Sequence, residues 1–330
     1  MLRKIAISIA AITALSHSLS AHAESWFEVE VFVFERQQPS VETWLNATPP
    51  KLSKDTIDMI SPVISTDITG VAVGLNGCTS TDWASDAIDC NDPKVSNNTT
   101  SHPDQVPFNI AASQPQTAFL GQGPLLLAQS QGQFDDLIRT IRREPYVNSL
   151  VHLTWQQNMQ SRRLAKPIRI FGGKDLSKRF EYHGLSVKKS PDADTLSMTD
   201  FNALGGSYQA PKINPVWELD GSIKIYLNHY LYIENNVALR KPTQKMLESS
   251  PLAFNEYSAL EIEGKKQLAP YLESIPLIQN RRVRSGEIHY FDHPQLGIVM
   301  QIRKMTQPTN VKPIDLTERS PQRQPVAYSG

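Results

Sequence analysis

Residues 281–304 read RRVRSGEIHYFDHPQLGIVMQIRK. Two runs rich in strand formers, Val283–Phe291 and Gly297–Arg303, flank Asp292-His293-Pro294-Gln295-Leu296, where Asp and Pro supply turn chemistry. The spacing predicts a β-hairpin. It also places four arginines, two histidines, a tyrosine and an aspartate within two dozen residues.

Working outward, the same period of two recurs upstream. In WFEVEVFVFER, residues 26–36, Phe27, Val29, Val31 and Val33 point one way, while Trp26, Glu28, Glu30 and Phe32 point the other. In 221–236, GSIKIYLNHYLYIENN, Ile223, Ile225, Leu227, Leu231 and Ile233 share a face with His229, and Tyr226, Asn228, Tyr230 and Tyr232 take the opposite one. This reads as one long strand entered by an Asp220-Gly221 turn. Val151, Leu153 and Trp155 alternate with His152, Thr154 and Gln156, and PIRIFGG at 167–173 is a further short strand. A period of 3.6 intervenes once clearly: Phe134, Leu137, Ile138 and Ile141 fall at i, i+3, i+4 and i+7, with Asp135 and Asp136 in the first turn and Arg142 and Arg143 in the last. Leu260, Leu268 and Leu272 suggest a weaker helix. The expected class is α+β: a predominantly antiparallel sheet from strands near Phe27, Leu153, Ile168, Ile225, Ile288 and Val299, one or two packed helices, and a long loop-rich insertion.

The chain of 330 residues opens with Arg3 and Lys4, an apolar run from Ile5 to Leu15 and a small-residue site at Ala21-His22-Ala23. That is the pattern of a cleaved secretory signal over 1–23, with an apolar run of about eleven residues, too short to span a bilayer. The expected organisation is then an N-terminal strand segment at 24–48, an acidic insertion at 49–124, the rest of the main domain at 125–317 and a disordered tail at 318–330. Export implies an oxidising compartment, so Cys78 and Cys90 are expected to form a disulfide across the insertion. No cysteine stands at the cleavage site to take a lipid, so no membrane anchor is expected.

Formal charge is zero overall but uneven: residues 24–130 hold 4 basic and 13 acidic residues, and 131–330 hold 27 and 20. Export and a mature charge near −2 argue against a nucleic-acid partner. Metal ligation by His289 and His293 is not expected, because four residues along a strand separate them by roughly 13 Å. No Gly-x-Ser-x-Gly, Ser-x-x-Lys or Walker-type run appears, and no cofactor motif. A hydrolase would draw on Glu287, Asp292 and His293, the nearest acids and base in the hairpin. A binding surface would draw on Arg281, Arg282 and Arg284 as carboxylate forks, His289, Tyr290, Asp292 and His293 beside them, and Tyr230 and Tyr232 as stacking platforms for sugar rings. The plain alternatives are that the arginines pair with Glu28, Glu30 and Glu287, that a helix covers the tyrosines, and that His229 is a hydrogen-bonded core residue.

The blocks WFEVEVFVFER, HLTWQQ, YLNHYLYIENN and above all RRVRSGEIHYFDHPQLGIVM resemble the CsiV family of periplasmic peptidoglycan-binding proteins of gammaproteobacteria. The acidic insertion and the basic loop before Pro211 carry none of the resemblance. It implies a non-catalytic function: binding peptidoglycan in the periplasm and supporting a class A penicillin-binding protein through its outer-membrane lipoprotein activator, and so wall synthesis and cell shape. It supplies no catalytic residues. A wall hydrolase and a pure protein–protein adaptor are the rival expectations.

Overall fold

The computed structural model describes residues 24–38, 42, 44, 47–67, 100–187, 214–248 and 266–310. The signal segment, Cys78 and Cys90, the basic loop from Lys188 and the tail at 318–330 lie outside them.

β1 (Trp26–Arg36) is a central strand. Its register pairs Val31 with Met300 of one neighbour and with Leu153 of the other, both antiparallel. Those neighbours are β12 (Leu296–Lys304) and β6 (Val147–Asn158). The alternation read from the sequence holds: Phe27, Val29, Val31 and Val33 enter the main core with Val151, Leu153, Trp155, Ile298, Met300 and Ile302. Phe32 and Phe34 emerge on the other side. A one-residue slip would carry Glu28 and Glu30 into the core, so burial specifies the register strongly. β11 (Ile288–Asp292) extends this sheet beyond β12, and two short strands, β4 (Asn109–Ile110) and β5 (Leu125–Leu126), pair with the far edge of β6. β4 runs parallel to β6, so the sheet is mixed.

Four strands form a second, antiparallel sheet in the order β10-β9-β8-β7: β7 (Ile168–Asp175), β8 (Trp217–Leu227), β9 (Leu231–Glu248) and β10 (Lys266–Val283). Ile168 and Ile170 of β7, Leu219, Ile223 and Ile225 of β8, Ile233, Val237 and Leu239 of β9, and Ile275 and Leu277 of β10 share the core with the first sheet. The architecture is thus two sheets packed face to face, a sandwich, rather than the single sheet expected. β2 (Thr66–Asp67) and β3 (Thr100–Ser101) make a separate two-stranded ribbon. Among the described residues α-helix is scarce: α1 (Ser61–Ile64) and α2 (Asp135–Ile141). α2 is the expected amphipathic helix, with Phe134 and Ile138 buried on Phe32, Phe34 and Val299.

Three expectations need correcting. Residues 221–236 are two strands, since β8 turns at Asn228–Tyr230 and β9 returns on it with Leu227 opposite Leu231. Asp220-Gly221 lies inside β8, where a Cβ on Gly221 would stand 2.3 Å from the Asn236 carbonyl oxygen; close approach, not a turn, demands that glycine. Leu268 and Leu272 belong to β10, not to a helix. Pro270 and Pro276 fit there because β10 is an edge strand, where a missing N–H disrupts no second ladder.

Candidate functional site

The turn that splits 221–236 decides what the second sheet shows to solvent. A three-residue turn preserves alternation, so the isoleucines still face the core and Tyr226 and Tyr232 take the opposite face, where Tyr226 is buried and Tyr232 half-buried. His229 sits in the turn and is exposed, so it is not a core histidine. Register places Tyr226, Tyr232 and Arg282 in one row across β8, β9 and β10; Lys224, Glu234 and Asn280 form the next row, and Ser222, Asn236 and Ile278 the one after. Tyr226 and Tyr232 stack at 5.1 Å between centroids. The Arg282 guanidinium lies over Tyr230, 4.6 Å from its centroid, and Arg162 approaches the Tyr226 ring at 5.8 Å while donating to Glu234 at 2.8 Å. Tyr230 is 54% and Ile278 71% exposed, so neither is covered by a helix among the described residues. The other end of this face is closed. There Phe180, Val216 and Leu272 form a small apolar cluster, and fully buried Arg240 lies over Tyr182 and donates to its carbonyl.

The hairpin carries a second cluster. β10 ends at Val283 and β11 begins only at Ile288, so the first strand expected over Val283–Phe291 is divided by a turn containing Gly286 at φ +85°. That break sends adjacent arginines to different neighbours. Arg282 joins the tyrosine row, whereas Arg281 donates to the Tyr290 carbonyl at 3.0 Å and lies over Phe291. Arg284 is exposed and 3.6 Å from Glu287 in the turn, and His289 contacts the Arg284 carbonyl at 3.0 Å. At the far end of β11, Asp292 accepts from Arg36 and from the Tyr290 hydroxyl, each at 2.9 Å, and Arg36 also contacts that hydroxyl. Tyr290 stacks on Phe34 at 6.4 Å. Burial, then the hydrogen bond to Asp292, pushes its phenol up to about 12. His293 packs against Trp44 at 5.0 Å; burial lowers its affinity for a proton against the pull of Glu42 and Asp292.

Of the nine binding candidates, Arg282, Tyr230 and Tyr232 are brought together on the open sheet face, while Tyr290, Asp292 and His293 gather at the hairpin turn with Arg36 and Trp44. Arg281 lies against the hairpin from the neighbouring strand, and Arg284 and His289 meet at its other end. Arg36 and Trp44 were not foreseen: Arg36 closes a strand pattern and Trp44 stands beyond it, and nothing local ties either to residue 292. Glu287 and Asp292 stand at opposite ends of a five-residue strand, roughly 17 Å apart by strand rise. Glycosidase carboxylates stand within about 10 Å of each other. Among the described residues no group of three or more His, Cys, Asp or Glu could hold a metal ion.

Of the ion pairs expected for the hairpin arginines, Arg284 makes the one with Glu287, whereas those with Glu28 and Glu30 are made by a different arginine. Arg303 donates to Glu30 at 2.6 Å and approaches Glu28 at 3.4 Å. Glu30 is fully buried, 3.0 Å from His152, and accepts from the backbone N–H groups of Gln133 and Phe134. It therefore closes the start of α2, whose own Phe134 provides no side-chain cap.

These features define the class: a two-sheet β-sandwich in which, among the described residues, one end of a sheet face is left open and lined with aromatic, amide and guanidinium groups. The chain belongs to the CsiV family of peptidoglycan-binding proteins, whose family model matches residues 4–305. That span contains all the blocks on which the sequence resemblance rests. No curated protein and no solved structure matches the chain. Among the described residues no helix is long and apolar enough to cross a membrane.

Proposed function

We propose that this protein is a non-catalytic peptidoglycan-binding protein of the periplasm, and that it meets the wall through the open face of the second sheet. Family membership supports the ligand, and exposed Arg282 and Tyr230 beside half-buried Tyr232, which stacks on buried Tyr226, support the place. Peptidoglycan alternates sugar rings, which offer flat amphipathic faces to tyrosine, with peptides whose carboxylates suit an arginine fork. A sheet surface matches an extended polymer better than a deep cleft does. The family resemblance further suggests that the protein supports a class A penicillin-binding protein through its outer-membrane lipoprotein activator. The signal pattern of 1–23 and the oxidising compartment it leads to support removal of that segment on export and a bond between Cys78 and Cys90.

The test is co-sedimentation of the mature protein with isolated sacculi over a salt series, with the supernatant assayed for released muropeptides. Salt-sensitive pelleting without release is expected. Release of fragments would instead assign a hydrolase, and failure to pellet at low salt would leave the lipoprotein as the main partner.

A further inference from the structure

The bulge in β6 builds a second site. Between Val33 and Phe34 the register of β1 against β6 jumps from Val151 to Ser149, so Leu150 is the extra residue. Bulges re-aim the side chains beside them. The Leu150 carbonyl bends toward β7, where a Cβ on Gly172 would meet it at 2.5 Å, so the bulge is held at the seam between the sheets. Beside it lies an open pocket of about 500 Å³, within the range of small-ligand sites. Val106, Phe108 and Val147 give it apolar walls, and Arg142, Asn148 and Ser149 give it polar ones.

The charges at this pocket are one-sided. Arg142 is its single charged lining residue, and among the described residues this guanidinium has no carboxylate partner; it rests on the Phe108 ring, 4.9 Å from the centroid. One Asn148 amide hydrogen goes to Glu35 at 3.3 Å, leaving the other, and Glu35 is itself neutralised by Lys241 at 2.7 Å. The Ser149 hydroxyl is buried in the wall with no hydrogen-bond partner among the described residues. A guanidinium held flat on an aromatic ring and a spare amide N–H border a small amphipathic hollow, while the Ser149 hydroxyl lies out of reach of solvent behind its wall.

We propose that this pocket binds the free carboxylate end of a short peptide, and, resting on the peptidoglycan reading, that its ligand is the wall's stem peptide. Arg142 anchors the carboxylate, Asn148 donates to it, and Val106 and Val147 take the adjoining methyl or methylene groups. The cationic hairpin is then not the main carboxylate receptor; the open tyrosine face and this pocket read different parts of the polymer.

The test is titration of the mature protein with the free L-Ala-γ-D-Glu-diaminopimelate tripeptide, beside the same peptide with its carboxylates amidated, followed by calorimetry or by NMR shifts. Binding of the free peptide that weakens about tenfold or more on amidation, on R142A and on R142E is expected. A smaller loss is expected for N148A. Arg142 is exposed, so its variants should melt like the parent protein. Binding unaffected by R142A, or no binding of the tripeptide by the parent protein, overturns the proposal. Equal affinity for an all-L tripeptide with free carboxylates also overturns it and gives the pocket to protein tails. Sacculus pelleting by the parent protein, measured in parallel, shows separately whether the peptidoglycan reading stands.

Discussion

Glu30 is the residue on which most of the polar structure converges. A buried carboxylate is tolerated only if its charge is answered, and here Arg303, the His152 ring and two backbone N–H groups answer it. Burial opposes its ionisation, yet the hydrogen bonds from His152, Arg303, Gln133 and Phe134 together prevail and hold the carboxyl below its ordinary value. A carboxyl lowered by folding contributes stability that is complete above its unfolded value, about 4.3, and is lost as pH falls through the folded one. Urea midpoints measured from pH 7 down to pH 3 should therefore drop more steeply below about pH 4.3 in the parent protein than in Glu30→Gln. Buried Asp220 and half-buried Glu218 shift the opposite way, each raised first by desolvation, so the parent-minus-variant difference is what isolates Glu30. Glu30→Ala should cost about 3–5 kcal/mol at pH 7, because it strands Arg303 and uncaps α2. Equal acid slopes for parent and Glu30→Gln would remove Glu30 from this role.

At the level of elements, periodicity carried most of the information. The faces of β1 and β6 and the apolar side of α2 follow directly from alternation at 2 and at 3.6, because burial on one side enforces it. The turn at Asn228–Tyr230 stayed hidden for a physical reason: it has no Gly or Pro, and its three residues keep the alternation in step across it. The division into two sheets was hidden too, since a strand's own pattern says that one face is buried but not which sheet buries it. The hairpin cluster was half legible; Tyr290, Asp292 and His293 are neighbours in sequence, but Arg36 and Trp44 arrive through tertiary pairing. Gly221 is where this packing tolerates least. Gly221→Ala places a methyl group within 2.3 Å of the Asn236 carbonyl oxygen and 2.5 Å of the Val237 Cα, both backbone atoms at the centre of the second sheet. We expect a loss of about 3 kcal/mol or more in urea unfolding. Gly121→Ala has open space around its Cβ and is limited to the strain of φ +74°, so it should cost about 1–2 kcal/mol.

For the whole molecule, the sandwich separates groups that lie side by side in the chain. Arg281 and Arg282 are adjacent on an edge strand, so their side chains leave on opposite faces: one braces the hairpin and the other completes the tyrosine row. Arg282→Ala should weaken sacculus pelleting at low salt and leave the melting temperature within about 2 °C of the parent, since it removes an exposed cation over an exposed ring. Arg281→Ala should do the reverse, lowering the melting temperature slightly while pelleting persists, because it loses the hydrogen bond to the Tyr290 carbonyl and the contact with the buried Phe291 ring. The salt series separates charge from stacking. Exposed charge pairs are screened over a Debye length of about 10 Å at 0.1 M salt, so the part of binding due to Arg282 should fade as salt rises, and the parent and Arg282→Ala curves should converge. Tyr230→Ala and Tyr232→Ala should lower binding at every salt concentration, because apolar contact with sugar rings is not screened. If Arg281→Ala reduces pelleting as much as Arg282→Ala does, the wall lies on the hairpin side of the sandwich and the open sheet face is not its receptor.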